Sequence, residues 1–464
     1  MDDLHSKLSY KLEAYGQQHL LDHWAKLSQG EKHELALEIE SIDFQSIRTL
    51  SSETDQSVDW GGLARRAKPP QAIRLQEQSV SQSSARQRGA DAIRKGRVAM
   101  ILVAGGQGTR LGFASPKGMF RIGPVSNRTL FAMHVDSLRG AMKKFEVDIP
   151  LLIMTSPATD AETRKYFEDH DYLGVDRKLV WIFQQGTMPA IDAKDGRVLL
   201  ESQGHIAMSP DGHGGIVRAL KVNGLLDECK RRGIEHFFYA QVDNPLVTAC
   251  DPALVGYHLE SQSQMTTQVV QKRFAKEKVG NVVSIDGRTQ IIEYSDLPDD
   301  IAEQKNADGS LALWAGNIAV HVIDRPFLEM ASQDTSKLPF HRALKTVPFV
   351  NCAGEIIRPA EPNAIKFERF VFDLLPQAEK AIVVEGDASE VFAPVKNADG
   401  ALTDTPFHAR TAISDRFKRW LVAAGAEISA SCLVEINPLW AWDSEDVKSK
   451  VKSPVTIQSD TYFA

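Results

Sequence analysis

The sequence predicts an α/β fold: a mixed, mostly parallel sheet with helices on both faces, a helical N-terminal extension and a small mixed C-terminal domain. Three observations predict it. Short apolar runs recur at residues 98–104, 150–155, 179–183 and 236–242, a length that suits strands buried on both faces better than helices. Segments with apolar residues at helical spacing separate these runs, and that alternation is the signature of βαβ units. Glycine-rich turns stand after the first run, from Gly105 to Gly112, and at a later helix start, from Gly212 to Gly215. Ligands in such sheets bind beyond the carboxyl ends of the strands, so the residues that follow the runs are the candidates for chemistry.

A chain of 464 residues can bury a large core, and its length predicts more than one domain. The expected division is a helical N-terminal domain and connection over 1–96, a catalytic domain over 97–376 and a small α/β domain over 377–464. Hydrophobic residues make up 43% and charged residues 25%, as in ordinary globular proteins. No apolar run reaches the roughly eighteen residues of a membrane helix, and the acidic start MDDLHSKL lacks the basic-then-apolar pattern of a secretory signal. A cytoplasmic location is therefore expected. The formal charge of −7 argues against nucleic acid or an anionic membrane as partner, because both need a basic surface. Cys229, Cys250, Cys352 and Cys432 lie far apart without a C-x-x-C pair, so buried free thiols are expected rather than disulfides or a metal site.

Along the chain, Leu8, Leu12 and Tyr15, then Leu20, Trp24 and Leu27, form an apolar stripe at helical spacing. Ser28 and Glu31 read as a capping box for the next helix, which carries Leu35 and Ile39. Residues 51–95, rich in Ser, Gln, Arg and Ala, read as a wrapped connection plus a helix. After the first strand, residues 129–145 place Phe131, Val135, Leu138, Met142 and Phe145 on one helix face. Thr159 and Glu162 read as a second capping box, for a helix ending near Gly174. Residues 215–232 read as one helix stopped by Gly233. Residues 265–325 lose the alternation and read as antiparallel strands at 266–271, 279–285, 291–294 and 313–321, one wall of a substrate pocket. Runs at 381–385 and 432–436 flank a helix at about 406–424, and together they read as the C-terminal domain.

The first glycine turn reads LVAGGQGTRLGFASPKGM, from Leu102 to Met119. Glycines let the backbone approach a ligand so that successive N–H groups point at phosphate oxygens, and Arg110 and Lys117 add positive charge. The spacing departs from G-x-G-x-x-G, and no G-K-[ST] is present, so neither a dinucleotide fingerprint nor a Walker loop fits. An oxidoreductase is further disfavoured because no acidic residue ends a second strand about twenty positions on; Asp136 falls within a helix.

The runs LVAGGQGTRLG and SPKGM closely resemble the nucleotide-binding signature of the eukaryotic-type UDP-sugar pyrophosphorylases, most closely the UDP-N-acetylglucosamine pyrophosphorylase branch. That resemblance implies a Rossmann-like, GT-A-like nucleotidyltransferase fold and the reaction of UTP with a sugar 1-phosphate to give a UDP-sugar and pyrophosphate. Backbone from Val103, Ala104, Gly105 and Gly106 is implied to hold the nucleotide. Lys117, Lys366 in PNAIKFERFVFD and Lys396 in FAPVKNADG sit in matching runs, which implies phosphate contacts, and Arg110 is the candidate clamp for the leaving pyrophosphate. Asp243, opening DNP after a strand, is the implied ligand of Mg²⁺, the expected cofactor. Gln185 in IFQQGTMPA resembles the family's uracil-reading glutamine, and its amide offers one donor and one acceptor edge. Gly212 in SPDGHGG is implied to approach the nucleotide. The sugar end is matched by His213, Gly280, Glu293, Tyr294 and Asn317. Where the N-acetylglucosamine branch usually carries asparagine, this chain has His213, as relatives acting on UDP-glucose or assorted UDP-sugars do. The first expectation is N-acetylglucosamine 1-phosphate as substrate. The alternatives are the same reaction on glucose 1-phosphate or several sugar phosphates, and a non-catalytic regulator that binds a UDP-sugar.

Overall fold

The apolar runs become neighbouring strands of one sheet. In the computed structural model, which describes residues 3–52, 59–334, 337–452 and 455–464, the strand order is Ala72–Ile73, Ala381–Glu385, Met265–Gln271, Ala315–Asp324, His236–Gln241, Val98–Val103, Leu151–Thr155 and Val180–Gln184. Neighbours run parallel except at Ala315–Asp324, which is antiparallel to both Met265–Gln271 and His236–Gln241. The mostly parallel sheet is as expected. Val98, Ala99, Met100, Ile101 and Leu102 are each at most 1% exposed, which accounts for the unbroken apolar run. Each fully buried large aliphatic side chain contributes about 1.5–3 kcal/mol. That sum makes this strand a rigid platform for the turn that follows it.

The hairpin of Asn281–Ile285 and Arg288–Ile292 joins the sheet through Asn281, opposite Gly316. Its second strand starts earlier than expected. Asp286 (φ 51°) and Gly287 (φ 79°) form the tight turn, and an Asp-Gly pair is suited to two consecutive left-handed residues. Two helix expectations are corrected in the same way. The capping box of Pro157–Asp169 is Ser156 with Thr159, one turn before the pair Thr159 and Glu162, because Pro157 already occupies the first helical position. Residues 215–232 form two helices, Ile216–Val222 and Leu225–Arg231, broken at Gly224 with φ 67°. Ser28 and Glu31 do form their box, and Thr129 caps Leu130–Phe145. Of the cysteines, Cys229, Cys250 and Cys432 are buried, but Cys352 is exposed. Among the described residues no helix is long and apolar enough to cross a membrane.

The chain folds as two compact units whose boundaries differ from those expected at 96/97 and 376/377. One unit comprises Met1–Asp59, Gln185–Arg218 and Ser336–Asp373; the other comprises Trp60–Gln184, Ala219–Thr335 and Leu374–Ala464. In the first, the N-terminal stripe of Leu8, Leu12, Leu20, Trp24, Leu35 and Ile39 shares a core with Ile191, Val198, Ile206, Ile365 and Phe367. The helices are too short to bury that stripe on one another, so segments from the middle of the chain cover it.

In the second unit, the helix Leu75–Arg94 packs on Pro252–Glu260 at a glycine contact. A Cβ at Gly89 would overlap the Pro252 carbonyl, and one at Gly256 would overlap that of Ala85. This draws residues expected in the N-terminal domain into the sheet unit. Ala381–Glu385 is a strand of the main sheet, and Ile413, Phe417 and Leu421 of the helix Pro406–Ala423 join the core beneath it. Residues 374–464 thus group with the main sheet in one unit.

Candidate active site

The glycine turn begins where Val98–Val103 reaches the carboxyl edge of the sheet. Ala104 N–H donates to Met154 O at 2.8 Å, Ser156 Oγ donates to Gly105 O at 2.8 Å, and Lys117 N–H donates to Gly106 O at 3.0 Å. These bonds gather Val103, Ala104, Gly105, Gly106 and Lys117 into one turn. Gly112 has φ 69°, and a Cβ at Gly118 would overlap the Phe131 ring, so both positions require glycine. Arg110 is exposed and Lys117 half-buried, and neither side chain has a hydrogen-bond or carboxylate partner among the described residues.

Asp243 stands beside this turn. Val242 N–H donates to Val103 O at 3.0 Å, and the Asp243 carbonyl accepts from Val395 N–H at 2.8 Å. Asn244 fixes the same segment, because its Oδ1 accepts from Ala393 N–H at 3.1 Å while its Nδ2 donates to Val391 O at 2.8 Å. Lys396, three residues beyond Ala393, is thereby brought to the same edge. Its Nζ donates to Lys278 O at 3.5 Å and pairs with no carboxylate among the described residues. His134 Nε2 lies 3.1 Å from Val242 O, and burial pushes the ring's pKa down to about 4, so a neutral imidazole donates there.

The Asp243 carboxylate is half-buried and makes no hydrogen bond or ion pair among the described residues. A half-buried carboxylate without a partner among the described residues suits Mg²⁺, which takes one or two protein carboxylates and completes its shell with phosphate oxygens and water. Among the described residues, one group of side chains has nitrogen and oxygen atoms grouped as metal ligands are: His236, His258 and Asp324. It lies at the opposite end of the strand His236–Gln241. Asp324 Oδ1 stands 2.6 Å from His236 Nδ1 and 2.8 Å from His258 Nε2, so the carboxylate fills the gap between the imidazoles as a hydrogen-bond acceptor.

Of the five residues expected to read the sugar, Gly280, Glu293, Tyr294 and Asn317 lie at or beside the hairpin. Asn317 N–H donates to Gly280 O at 2.8 Å, and a Cβ at Gly280 would stand 2.9 Å from Glu293 Oε1. Asn317 Oδ1 accepts from Ala319 N–H at 3.0 Å, so the amide offers its N–H₂ edge outward. Tyr294 is 46% exposed and adds no hydrogen bond or ring contact to the group among the described residues.

Gln185, Gly212, His213 and Lys366 belong to the first unit. Gln185 is 8% exposed, yet its amide makes no hydrogen bond among the described residues. That amide is left to pair with solvent or with a ligand edge that carries the complementary donor and acceptor. Gly212 has φ 84° and lies against the Arg369 carbonyl, where a Cβ would overlap. His213 Nδ1 accepts from Val371 N–H at 3.2 Å, and the ring stacks on Phe370 at 5.2 Å. Burial pushes its pKa down to about 4, which leaves a neutral ring with Nε2–H as donor. Lys366 is half-buried on the strand Ala364–Glu368, without a partner among the described residues.

Residues 43–411 match the protein family described as UTP–glucose-1-phosphate uridylyltransferase. The chain belongs to this family. Over 461 residues it is 35% identical to the UDP-N-acetylglucosamine pyrophosphorylase of Saccharomyces cerevisiae, with 96% of each chain covered. It is also 35% identical to the human UDP-N-acetylhexosamine pyrophosphorylase-like protein 1, covering 97% of this chain and 96% of that one. Among solved structures, the uridine diphosphate N-acetylglucosamine pyrophosphorylase of Trypanosoma brucei in complex with an inhibitor has a TM-score of 0.84 at 27% identity, covering 100% of this chain and 98% of that one. The resemblance read from the glycine turn thus extends over nearly the whole chain.

Within this uridylyltransferase, three supporting residues were not legible as such. Ser156 pins Gly105, and Asn244 ties residues 391–393 beside Asp243. Lys272, 4% exposed, donates to Asn281 Oδ1 at 2.6 Å and to Ala275 O at 3.2 Å beneath Gly280. Burial lowers the pKa of that ammonium, and the nearby Glu277 opposes the shift. The Asn-Pro step after Asp243 marked a turn, but no local pattern connects position 244 with 393.

Proposed function

We propose that this protein is a Mg²⁺-dependent uridylyltransferase that makes a UDP-sugar and pyrophosphate from UTP and a sugar 1-phosphate, with N-acetylglucosamine 1-phosphate as the preferred acceptor. The observation that carries the reaction is the gathering of the glycine turn, Lys117, Asp243 and Lys396 at one edge of the sheet, with neither lysine paired to a carboxylate among the described residues. The acceptor follows the relatives, which are named for UDP-N-acetylglucosamine or UDP-N-acetylhexosamine.

A sugar phosphate oxygen attacks the α-phosphorus of UTP in line; the new P–O bond forms as the bond to the β-phosphate oxygen breaks, and pyrophosphate leaves. No protein nucleophile is needed. The obstacle is charge: two unit negative charges 5 Å apart repel by about 3 kcal/mol at an effective dielectric of about 20, and several such pairs are brought together. Lysines already free of carboxylates offset that repulsion without first breaking an ion pair. In this reading Lys117 and Arg110, in the glycine turn, and Lys396 meet phosphate oxygens; Lys366, in the first unit, carries a phosphate assignment from its own matching run. Asp243 holds Mg²⁺, which when bound supplies further neutralisation of the phosphate oxygens. In the first unit Gln185 is assigned to the uracil edge and the His213 Nε2–H to the sugar; in the second, Gly280, Glu293 and Asn317 carry sugar assignments from their matching runs. A cytoplasmic location is part of the proposal.

Pyrophosphate release from UTP and a panel of sugar 1-phosphates tests it. The expected order places N-acetylglucosamine 1-phosphate first in kcat/KM. A higher value for glucose 1-phosphate would reassign the sugar, and binding of UDP-sugar without any pyrophosphate would point to a regulator. Asp243→Ala is expected to lower kcat by more than roughly a hundredfold and to abolish the response to added Mg²⁺. An unchanged Mg²⁺ titration would remove Asp243 as the ligand.

A further inference from the structure

The carboxyl group of Asp211 lies at the joint between the two turns assigned to the uracil and sugar ends. It is 4% exposed, and its Oδ1 has no hydrogen-bond partner among the described residues. Its backbone is tied on both sides: Asp211 N–H donates to Gly186 O at 3.0 Å, and Asp211 O accepts from Arg369 N–H at 2.7 Å. Burial pushes the carboxyl pKa up to about 6, while Arg369 and Arg218 pull it down.

The glycines around it explain what the side chain does. A Cβ at Gly186 would stand 2.5 Å from Asp211 Oδ2, and one at Gly215 would overlap Oδ1. Neither glycine has a positive φ, so backbone conformation does not require glycine at either position. The carboxyl group does. It fills the space that side chains at 186 and 215 would take, next to Gln185 on one side and in the same turn as Gly212 and His213 on the other. An alanine here would leave a void, and a buried carboxyl is expensive, so the residue is not explained by packing economy alone.

We propose that Asp211 is a positioning residue, a wedge whose carboxyl holds the Gln185–Gly186 turn in register with the Gly212–Gly215 turn so that uracil and sugar are read from one rigid frame. This rests on the uridylyltransferase reading for what the frame binds. The chain's own packing carries the wedge itself.

Calorimetric binding of UDP and steady-state kinetics on the full chain test it, with circular dichroism as the check on folding. Asp211→Ala is expected to weaken UDP binding and raise KM for UTP by more than roughly tenfold, with kcat changed less than about threefold. Asp211→Asn keeps the shape and is expected to stay within about threefold of wild type in both. Gly215→Ala alone drives a methyl group into the carboxyl and is expected to bind UDP more weakly than the double variant Asp211→Ala/Gly215→Ala, in which the methyl group takes the vacated space. The proposal is overturned if Asp211→Ala binds UDP within about twofold of wild type, if Asp211→Asn is as impaired as alanine, or if the double variant gains nothing over Gly215→Ala. Wild-type turnover in the same experiments reports separately on the reaction. UDP binding with the expected contrasts but no pyrophosphate would sink the reaction and leave Asp211 standing, whereas turnover without the contrasts would do the reverse.

Discussion

Lys117, Lys366 and Lys396 share one physical property: none is paired with a carboxylate among the described residues, although acidic residues outnumber basic ones, 61 to 54. A lysine that is not already paired with a carboxylate can meet a polyanionic ligand without first breaking an ion pair. Lys366→Ala is accordingly expected to cut kcat/KM by more than roughly tenfold with an unchanged melting temperature, and a near-normal rate would remove this lysine from the mechanism. For Gln185→Ala the expected loss lies in KM for UTP, by roughly tenfold with kcat nearly constant, because the amide is assigned to the base and not to the phosphates. A fall in kcat at constant KM would contradict that assignment. These residues could be nominated from the linear sequence because each sits inside a run that resembles the family's. Asp211 sits in such a run too, but its importance depends on which atoms fill the space beside Gly186 and Gly215, and only packing reveals that.

Among the elements, the crossing of Leu75–Arg94 with Pro252–Glu260 is the most exacting contact, since backbone meets backbone with no side chain between. Gly256→Ala must push the helices apart or bend one of them, at an expected cost of 1–3 kcal/mol or more, in the range of overpacked cores. Chemical denaturation would show this as a lower midpoint at constant slope; a midpoint within error of wild type would mean that the crossing is loose. Nothing in the local pattern around Gly89 or Gly256 signals that one meets the other's helix, so the contact that attaches residues 75–94 to the sheet unit is visible only in the packing. The strands were another matter. Continuous apolar runs could only be satisfied by burial on both faces, and Ala381–Glu385 was located to the residue while its place in the main sheet was missed. The Asp286–Gly287 turn was legible in principle from its residue pair.

At the scale of the molecule, stability and pH are linked through buried imidazoles. His134 and His213, in different units, are each pushed down to about 4 from the usual 6.5 by burial. As pH falls below 6.5 the unfolded chain takes up protons first, so the stability these rings contribute is complete above that value and is lost toward pH 4. Each group accounts for about 2 kcal/mol between pH 7 and pH 5. Asp211 acts in the opposite sense: its raised pKa favours the folded form in acid, and that contribution is lost as pH rises through about 6. Denaturation at pH 7 and pH 5 is therefore expected to give a smaller loss of stability for His134→Asn than for wild type, by about 2 kcal/mol. Equal losses would mean that His134 is free to take up a proton in the folded state.

The class of chemistry came from the resemblance of the glycine-turn runs to a known family; the sequence by itself determined the strands and the glycine turn. Each of these depends on local pattern: burial on both faces demands an unbroken apolar run, and a close approach to phosphate demands glycine. Tertiary structure alone decided the division into units, the attachment of the 75–94 helix, the merging of the C-terminal segment with the main sheet, and the meeting of Asp243 with residues 391–396. Those outcomes depend on which surfaces fit across hundreds of residues, and shape complementarity of that kind leaves no periodic trace along the chain.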